Sequence, residues 1–226
     1  ASETFSKESN VLGRWCIKFS LGFLLFFTMN VSANAQETST LLLFGDSLVA
    51  GYGVEHADSL PSQLEEALQE KGWDVKVING GVSGDTTAGG RSRLAWMLKK
   101  HQPDQVLLAL GGNDILRGVP PKVTRENIFA MLEILQEGEY DTVLSAVRAP
   151  RSAGESYQKE FDAIYPDAAS HFDISLYPFF LEDTYGKADL MQPDGIHPNA
   201  KGAQIIATKL AEFLLKLRDQ RESRVE

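Results

Sequence analysis

The chain has 226 residues, 43% hydrophobic and 23% charged, with a net charge of −9. That length suits one domain with a full core, and the composition excludes a disordered or fibrous protein. The acidic balance argues against nucleic acid and against adsorption to anionic headgroups as partners.

The first 35 residues stand apart. Arg14 and Lys18 precede an apolar stretch from Phe19 to Met29, and Ala33-Asn34-Ala35 offers a small-x-small cleavage site. This is the layout of a secretory signal peptide. The stretch is shorter than the roughly 20 residues that span a bilayer, so a stable membrane anchor is not expected. Cleavage after Ala35 leaves residues 36–226 as the working domain, in the periplasm or outside the cell. The segment carries Lys7, Arg14 and Lys18 against Glu3 and Glu8, so its removal leaves the remainder one unit more acidic. It also takes away Cys16, the only cysteine. The remaining domain then has no disulfide, thiol nucleophile or zinc-thiolate site.

From residue 36 onward, strand-like apolar runs alternate with helical patterns. Leu41–Phe44 reads as a buried strand, and Pro61–Lys71 as a helix with Leu64 and Leu68 on one face. Val75–Ile78 and Thr87–Lys100 repeat the pair. Val106–Leu110 is followed by a helix over Thr124–Gln136, with Thr124 as its cap and Ile128, Leu132 and Leu135 inward. Thr142–Val147 precedes a helix over Tyr157–Ser170, and Phe172–Leu176 precedes a last helix from Ala200 to about Arg221. Five strands alternating with helices predict a five-stranded parallel sheet in a flavodoxin-like three-layer α/β/α sandwich.

Chemistry concentrates at strand ends. Gly45-Asp46-Ser47-Leu48 follows the first strand, and Asp194-Gly195-Ile196-His197-Pro198 lies near the far end of the chain. A serine hydroxyl becomes a nucleophile when an imidazole takes its proton and a carboxylate fixes the imidazole tautomer. Asp194 and His197 are spaced so that one turn can aim the carboxylate at Nδ1. Ser83-Gly84-Asp85 follows the second strand and Gly111-Gly112-Asn113-Asp114 the third. The Ser47 and Gly84 amides and the Asn113 side chain are therefore the expected oxyanion donors. Asp46 and Asp85 read as turn or capping residues, and His56, His101 and His171 as exposed or structural. No His/Asp/Glu cluster has ligand spacing, so neither metal nor cofactor is expected. The segment lacks the Gly-x-Ser-x-Gly elbow of α/β-hydrolases.

These four blocks, in this order, resemble those of the GDSL or SGNH hydrolase superfamily, whose letters stand here for Ser47, Gly84, Asn113 and His197. Leu110-Gly111-Gly112-Asn113-Asp114, Ile164-Tyr165-Pro166, Pro178-Phe179-Phe180 and Met191-Gln192 extend the resemblance toward the bacterial branch of secreted thioesterases, lysophospholipases and arylesterases. The resemblance implies a serine esterase acting on carboxylic esters and thioesters through an acyl-enzyme on Ser47, with aryl esters, acyl-CoA and lysophospholipids as substrates. An apolar groove for the acyl chain is expected from Leu48, Ile115, Leu116, Val119, Ala149 and Pro150. In that branch the middle of Arg148-Ala149-Pro150 usually carries a larger apolar residue, so chain-length preference is left open. A carbohydrate O-deacetylase and a non-catalytic periplasmic binding module are the alternatives, and a monomer is expected.

Overall fold

Strand β1 (Ser39–Gly45) carries Leu41, Leu42, Leu43 and Phe44, all completely buried. Successive strand side chains point to opposite faces, so an unbroken apolar run needs cover on both. The computed structural model, which describes residues 38–225, supplies that cover. The expected signal segment and its cleavage site lie outside the described residues.

The remaining strands are β2 (Val75–Gly81), β3 (Gln105–Ala109), β4 (Asp141–Ser145) and β5 (Ser175–Tyr177). All pairings are parallel, in the order β2-β1-β3-β4-β5. On one face Leu42 and Phe44 pack with residues of α3 (Thr87–His101), α5 (Pro121–Glu137), α6 (Glu155–Asp162) and α7 (Ile164–Phe172). On the other, Leu41 and Leu43 meet α2 (Leu60–Glu70) and α8 (Ala200–Val225). Leu64, Leu68, Leu210 and Leu214 form much of that second layer. Each such leucine contributes about 1.5–3 kcal/mol through burial. The three-layer sandwich is the architecture expected from the sequence.

Register sets the site. Gly45 lies opposite both Gly81 and Ala109, so β1, β2 and β3 end level with one another. In this strand order the connections diverge between β1 and β3, where open α/β sheets place their ligand crevice.

Several boundaries differ from expectation for identifiable reasons. The fifth helix starts at Pro121, whose fixed φ suits a first helical position. Thr124 is therefore inside the helix, buried, and donates its hydroxyl to Asp114 Oδ1 at 3.1 Å. The helix expected over Tyr157–Ser170 is two helices, α6 and α7. Pro166 has no N–H and clashes with a preceding helical carbonyl, so it is tolerated only in the first turn of a new helix. Phe172 belongs to α7 rather than β5; it packs on Phe129, and Asp173 at φ 52° ends the helix. Strand β4 stops at Ser145, and α8 continues past Arg221 to Val225. Two short helices, α1 (Ser47–Ala50) and α4 (Gly112–Leu116), follow β1 and β3 directly.

Candidate active site

Ser47 is the first residue of α1. Asp46 caps that helix, its Oδ1 accepting from Leu48 N at 3.1 Å. A side chain at Gly45 would meet Val49 and the Ala109 carbonyl at 2.4 and 2.8 Å, so only glycine lets the strand turn this tightly into the helix. Gly51, in the left-handed region at φ 78°, ends α1 after a single turn.

His197 comes from a closed loop at the other end of the chain. Met191 and Pro198 form an antiparallel bridge, and Gln192 N donates to His197 O at 2.7 Å. Gly195 turns the loop at φ 67°. Inside it, Asp194 Oδ1 accepts from Ile196 N and His197 N at 2.9 and 3.0 Å. That leaves Asp194 Oδ2 for His197 Nδ1, 2.6 Å away. The imidazole hydrogen bond, followed by the two amides, holds the Asp194 carboxyl down at about 2. An ionised Asp194 keeps the proton of the neutral imidazole on Nδ1, turning the Nε2 lone pair toward Ser47 Oγ at 2.8 Å. The Tyr52 ring, with centroids 4.7 Å apart, leans over the imidazole.

The Gln192 side chain fastens the two ends together. Its Nε2 donates to Tyr52 O at 2.8 Å and to Pro198 O at 2.9 Å, joining the turn after α1 to the histidine loop. Asn199 then caps α8, its Oδ1 accepting from Gly202 N at 3.0 Å.

Opposite His197 lie the expected oxyanion donors. The Ser47 amide is one of the unpaired N–H groups at a helix start. Gly84 sits at φ 79°, its carbonyl held by Arg117 Nη2 at 2.7 Å. Asn113 projects from the first turn of α4 and donates through Nδ2 to Asp46 Oδ2 at 3.3 Å. Asp46 is therefore more than a cap: it braces the Asn113 amide. Burial raises its carboxyl to about 6, despite the bonds from Leu48 and Asn113 that favour the charge. Below this layer Asp114 is buried and accepts from Thr87 N and Oγ1 and from Thr124 Oγ1, fixing α4 against α3 and α5. Tyr165 supports the same turn by donating its hydroxyl to Leu110 O at 2.8 Å.

Ser47, Gly84, Asn113 and His197 border one cleft of about 530 Å³. Leu48, Ile115, Leu116, Ala149 and Pro150 line it as expected. Val119 does not. The chain turns back at Gly118 (φ 63°), and Val119 lies beside α6, its carbonyl accepting from Tyr157 Oη at 2.8 Å. The sequence reading missed the opposite wall, made by Phe179, Phe180, Tyr185 and Ile196. Only the apolar Pro178-Phe179-Phe180 run hinted at it. His56, His101 and His171 are absent from the cleft. Asp85 does more than shape a turn: its Oδ2 pairs with Arg93 Nε at 2.7 Å.

A serine–imidazole–carboxylate relay at the carboxyl edge of a parallel sheet, facing an apolar cleft, defines a serine esterase of the three-layer SGNH type. Residues 43–205 match the GDSL-like Lipase/Acylhydrolase family, and the chain belongs to it. It is 43% identical over 196 residues to an arylesterase of Vibrio mimicus, covering 87% of this chain and 97% of that one. It is 39% identical over 208 residues to thioesterase 1/protease 1/lysophospholipase L1 of Escherichia coli K12, covering 92% and 96%. Among solved structures, it is similar to AlinE4, an SGNH-hydrolase family esterase, at 42% identity and a TM-score of 0.69 over 80% of this chain and 97% of that one. It also resembles the psychrotrophic esterase EstA of Pseudoalteromonas sp., inhibited by monoethylphosphonate, at 32% identity and a TM-score of 0.76 over 80% and 99%.

Proposed function

We propose that this esterase cleaves carboxylic esters and thioesters of acyl chains by nucleophilic attack of Ser47. The observation that carries the reading is the unbroken contact series from Asp194 Oδ2 through the His197 ring to Ser47 Oγ, at 2.6 and 2.8 Å, beside an apolar cleft. His197 Nε2 takes the hydroxyl proton as Ser47 Oγ bonds to the substrate carbonyl carbon. The oxygen of the tetrahedral intermediate takes up the negative charge and is held by the Ser47 and Gly84 amides and Asn113 Nδ2. His197 then gives its proton to the departing alcohol or thiol, and the acyl group remains on Ser47. Water, deprotonated by His197, releases the acid by the same route.

Leu48, Ile115, Leu116, Phe179 and Phe180 make the cleft lining mainly apolar, which favours acyl chains over acetylated sugars. Aryl esters, acyl-CoA and lysophospholipids fit this description. A monomer is proposed as the working unit. Ser47→Ala should leave a folded protein with activity lowered by several orders of magnitude. A p-nitrophenyl alkylphosphonate should label Ser47 in the parent protein, Oγ bonding to phosphorus as p-nitrophenolate leaves. Full activity in the alanine variant, or labelling elsewhere, would overturn the assignment.

Residues 1–35 are proposed as a secretory signal, with the enzyme working in the periplasm or outside the cell. The basic, apolar and small-residue order of Arg14 to Ala35 supports this. Among the described residues, no helix is long and apolar enough to cross a membrane. N-terminal sequencing of secreted protein should begin at Gln36; a full-length species confined to the membrane fraction would refute the proposal.

A further inference from the structure

Past the Gly45–Gly81 pair the ladder between β1 and β2 ends, yet Gly84 has to present its amide beside that of Ser47. Few contacts hold the segment from Val82 to Thr86. Val82 N donates to Gly45 O at 3.1 Å, Asp85 N to Val82 O at 3.1 Å, and Arg117 Nη2 to the Gly84 carbonyl at 2.7 Å. On the sheet side a single side chain, Arg93 of α3, reaches both strand ends and the Gly84 turn. Its Nε donates to Asp85 Oδ2 at 2.7 Å, next to Gly84. Its Nη1 donates to Gly80 O and its Nη2 to Gly45 O, both at 2.8 Å. The guanidinium lies 3.9 Å from the centre of the Phe44 ring, and its side chain is only 18% exposed.

We propose that Arg93 is a positioning residue for the oxyanion site, setting the spacing between the Ser47 turn and the Gly84 turn so that their amides converge on one oxygen. The inference rests on the proposed function, in which those two amides hold the oxyanion. The planar fork is what makes the device work. Three nitrogens in one plane reach the end of β1, the end of β2 and the Gly84 turn at once, with Phe44 fixing the plane from below. A lysine has one nitrogen on a flexible stem and cannot span the three acceptors in fixed directions. Arg93 touches no substrate atom and acts through the backbone it ties together.

If Arg93 only fastened the sheet edge, its loss would lower stability and leave the chemistry of the folded enzyme intact. The test therefore uses Arg93→Lys and Arg93→Ala in the full chain, with p-nitrophenyl butyrate as substrate and a p-nitrophenyl alkylphosphonate, which loses p-nitrophenolate as it bonds to Oγ, as a probe of Ser47. Displacing a donor by about an ångström costs about a hundredfold in rate, so kcat should fall about 10- to 100-fold in both variants. KM should stay within about threefold of the parent, since uniform binding is untouched. Phosphonylation of Ser47 should slow in parallel, because it needs the same oxygen site. Methylguanidinium at tens of millimolar should restore kcat several-fold in Arg93→Ala and leave Arg93→Lys unchanged, with sodium chloride as the control salt. Should Arg93→Ala not fold, Arg93→Lys decides through kcat and phosphonylation rate. A parental kcat in a folded variant with a lowered melting temperature overturns the proposal, as does a loss confined to KM. Failure of the parent protein to be labelled at Ser47 would instead strike at the assignment of the nucleophile.

Discussion

Asp46→Asn should separate the stability of this protein from its activity. Asp46 is buried, and its carboxyl titrates near 6 in the folded protein against an ordinary 3.8. A folded value above the unfolded one means that the native state binds the proton more readily between those limits. The associated stability is fully present below 3.8 and is lost as pH rises through about 6. A gap of about two units at 1.36 kcal/mol each makes the loss about 3 kcal/mol by pH 8. Asparagine carries no charge and so escapes this cost. It can still accept from Leu48 N, but it cannot offer Asn113 Nδ2 a carboxylate oxygen as Asp46 Oδ2 does. The value near 6 already includes the Asn113 bond to the charged form, and below it the bond lost is one to a neutral carboxyl, costing about 0.5–1.5 kcal/mol, so at pH 8 asparagine should be the more stable by about 2 kcal/mol. At pH 4 only the lost bond remains. The stability of the variant relative to the parent should therefore fall by about 3 kcal/mol between pH 8 and pH 4. In a domain of this size that corresponds to roughly 6–12 °C of relative melting temperature. Thermal or urea unfolding of both proteins across that range reads the change directly. Activity should move independently: at pH 8 the unbraced Asn113 should lower kcat about tenfold, less than outright loss of an oxyanion donor. A melting difference constant from pH 4 to 8, or an unchanged kcat, would refute the role given to the buried carboxylate.

Three further outcomes follow from the same site. In the parent enzyme kcat/KM should decline on the acid side through about pH 6, where Asp46 protonates and its hold on Asn113 weakens; a profile flat to pH 4 would contradict that role. Leu116 is 62% exposed at the cleft and should gain cover only when a long acyl chain is bound. Leu116→Ala should then leave acetyl esters nearly unaffected and lower kcat/KM about fourfold for octanoyl esters, equivalent to about 0.8 kcal/mol, and equal losses at both lengths would remove it from chain recognition. Gly53 lies at φ 74°, where an added methyl would fall 2.1 Å from Gln192 Oε1. Gly53→Ala should strain the backbone by about 1 kcal/mol or more and push Gln192 off Tyr52 and Pro198, lowering both melting temperature and kcat; a fully active variant of parental stability would show the Gln192 clasp to be dispensable.

The sheet was readable because an apolar run such as Leu41–Phe44 makes sense only with cover on both faces. Elements were harder to read where local pattern and tertiary demand diverged. The apolar stretch from Phe172 to Leu176 looks like a strand, but Phe172 is claimed by the aromatic contact with Phe129, and only Ser175–Tyr177 is left to pair. Thr124 has the chemistry of a cap, yet Pro121 starts the helix earlier and Asp114 takes the hydroxyl. Ser47, Asp194, His197, Gly84 and Asn113, the residues proposed for catalysis, could be singled out because each sits in a short motif tied to a strand end or turn. The far wall of the cleft was not, because Tyr185 and Ile196 reach it through irregular backbone with no periodicity. Arg93 carries no signal at all in sequence; its importance arises from where the register of β1 and β2 happens to end.

Ser47 and His197 meet across 150 positions of the chain. During synthesis, β1 and its serine emerge early, whereas the loop from Met191 to Pro198 follows the last strand. A nascent chain that has already assembled β1 to β5 still lacks the imidazole proposed to take the Ser47 proton. On the proposed mechanism, hydrolytic power switches on only when that strap closes over Tyr52, and turnover itself becomes a reporter that the chain has folded at least through Pro198.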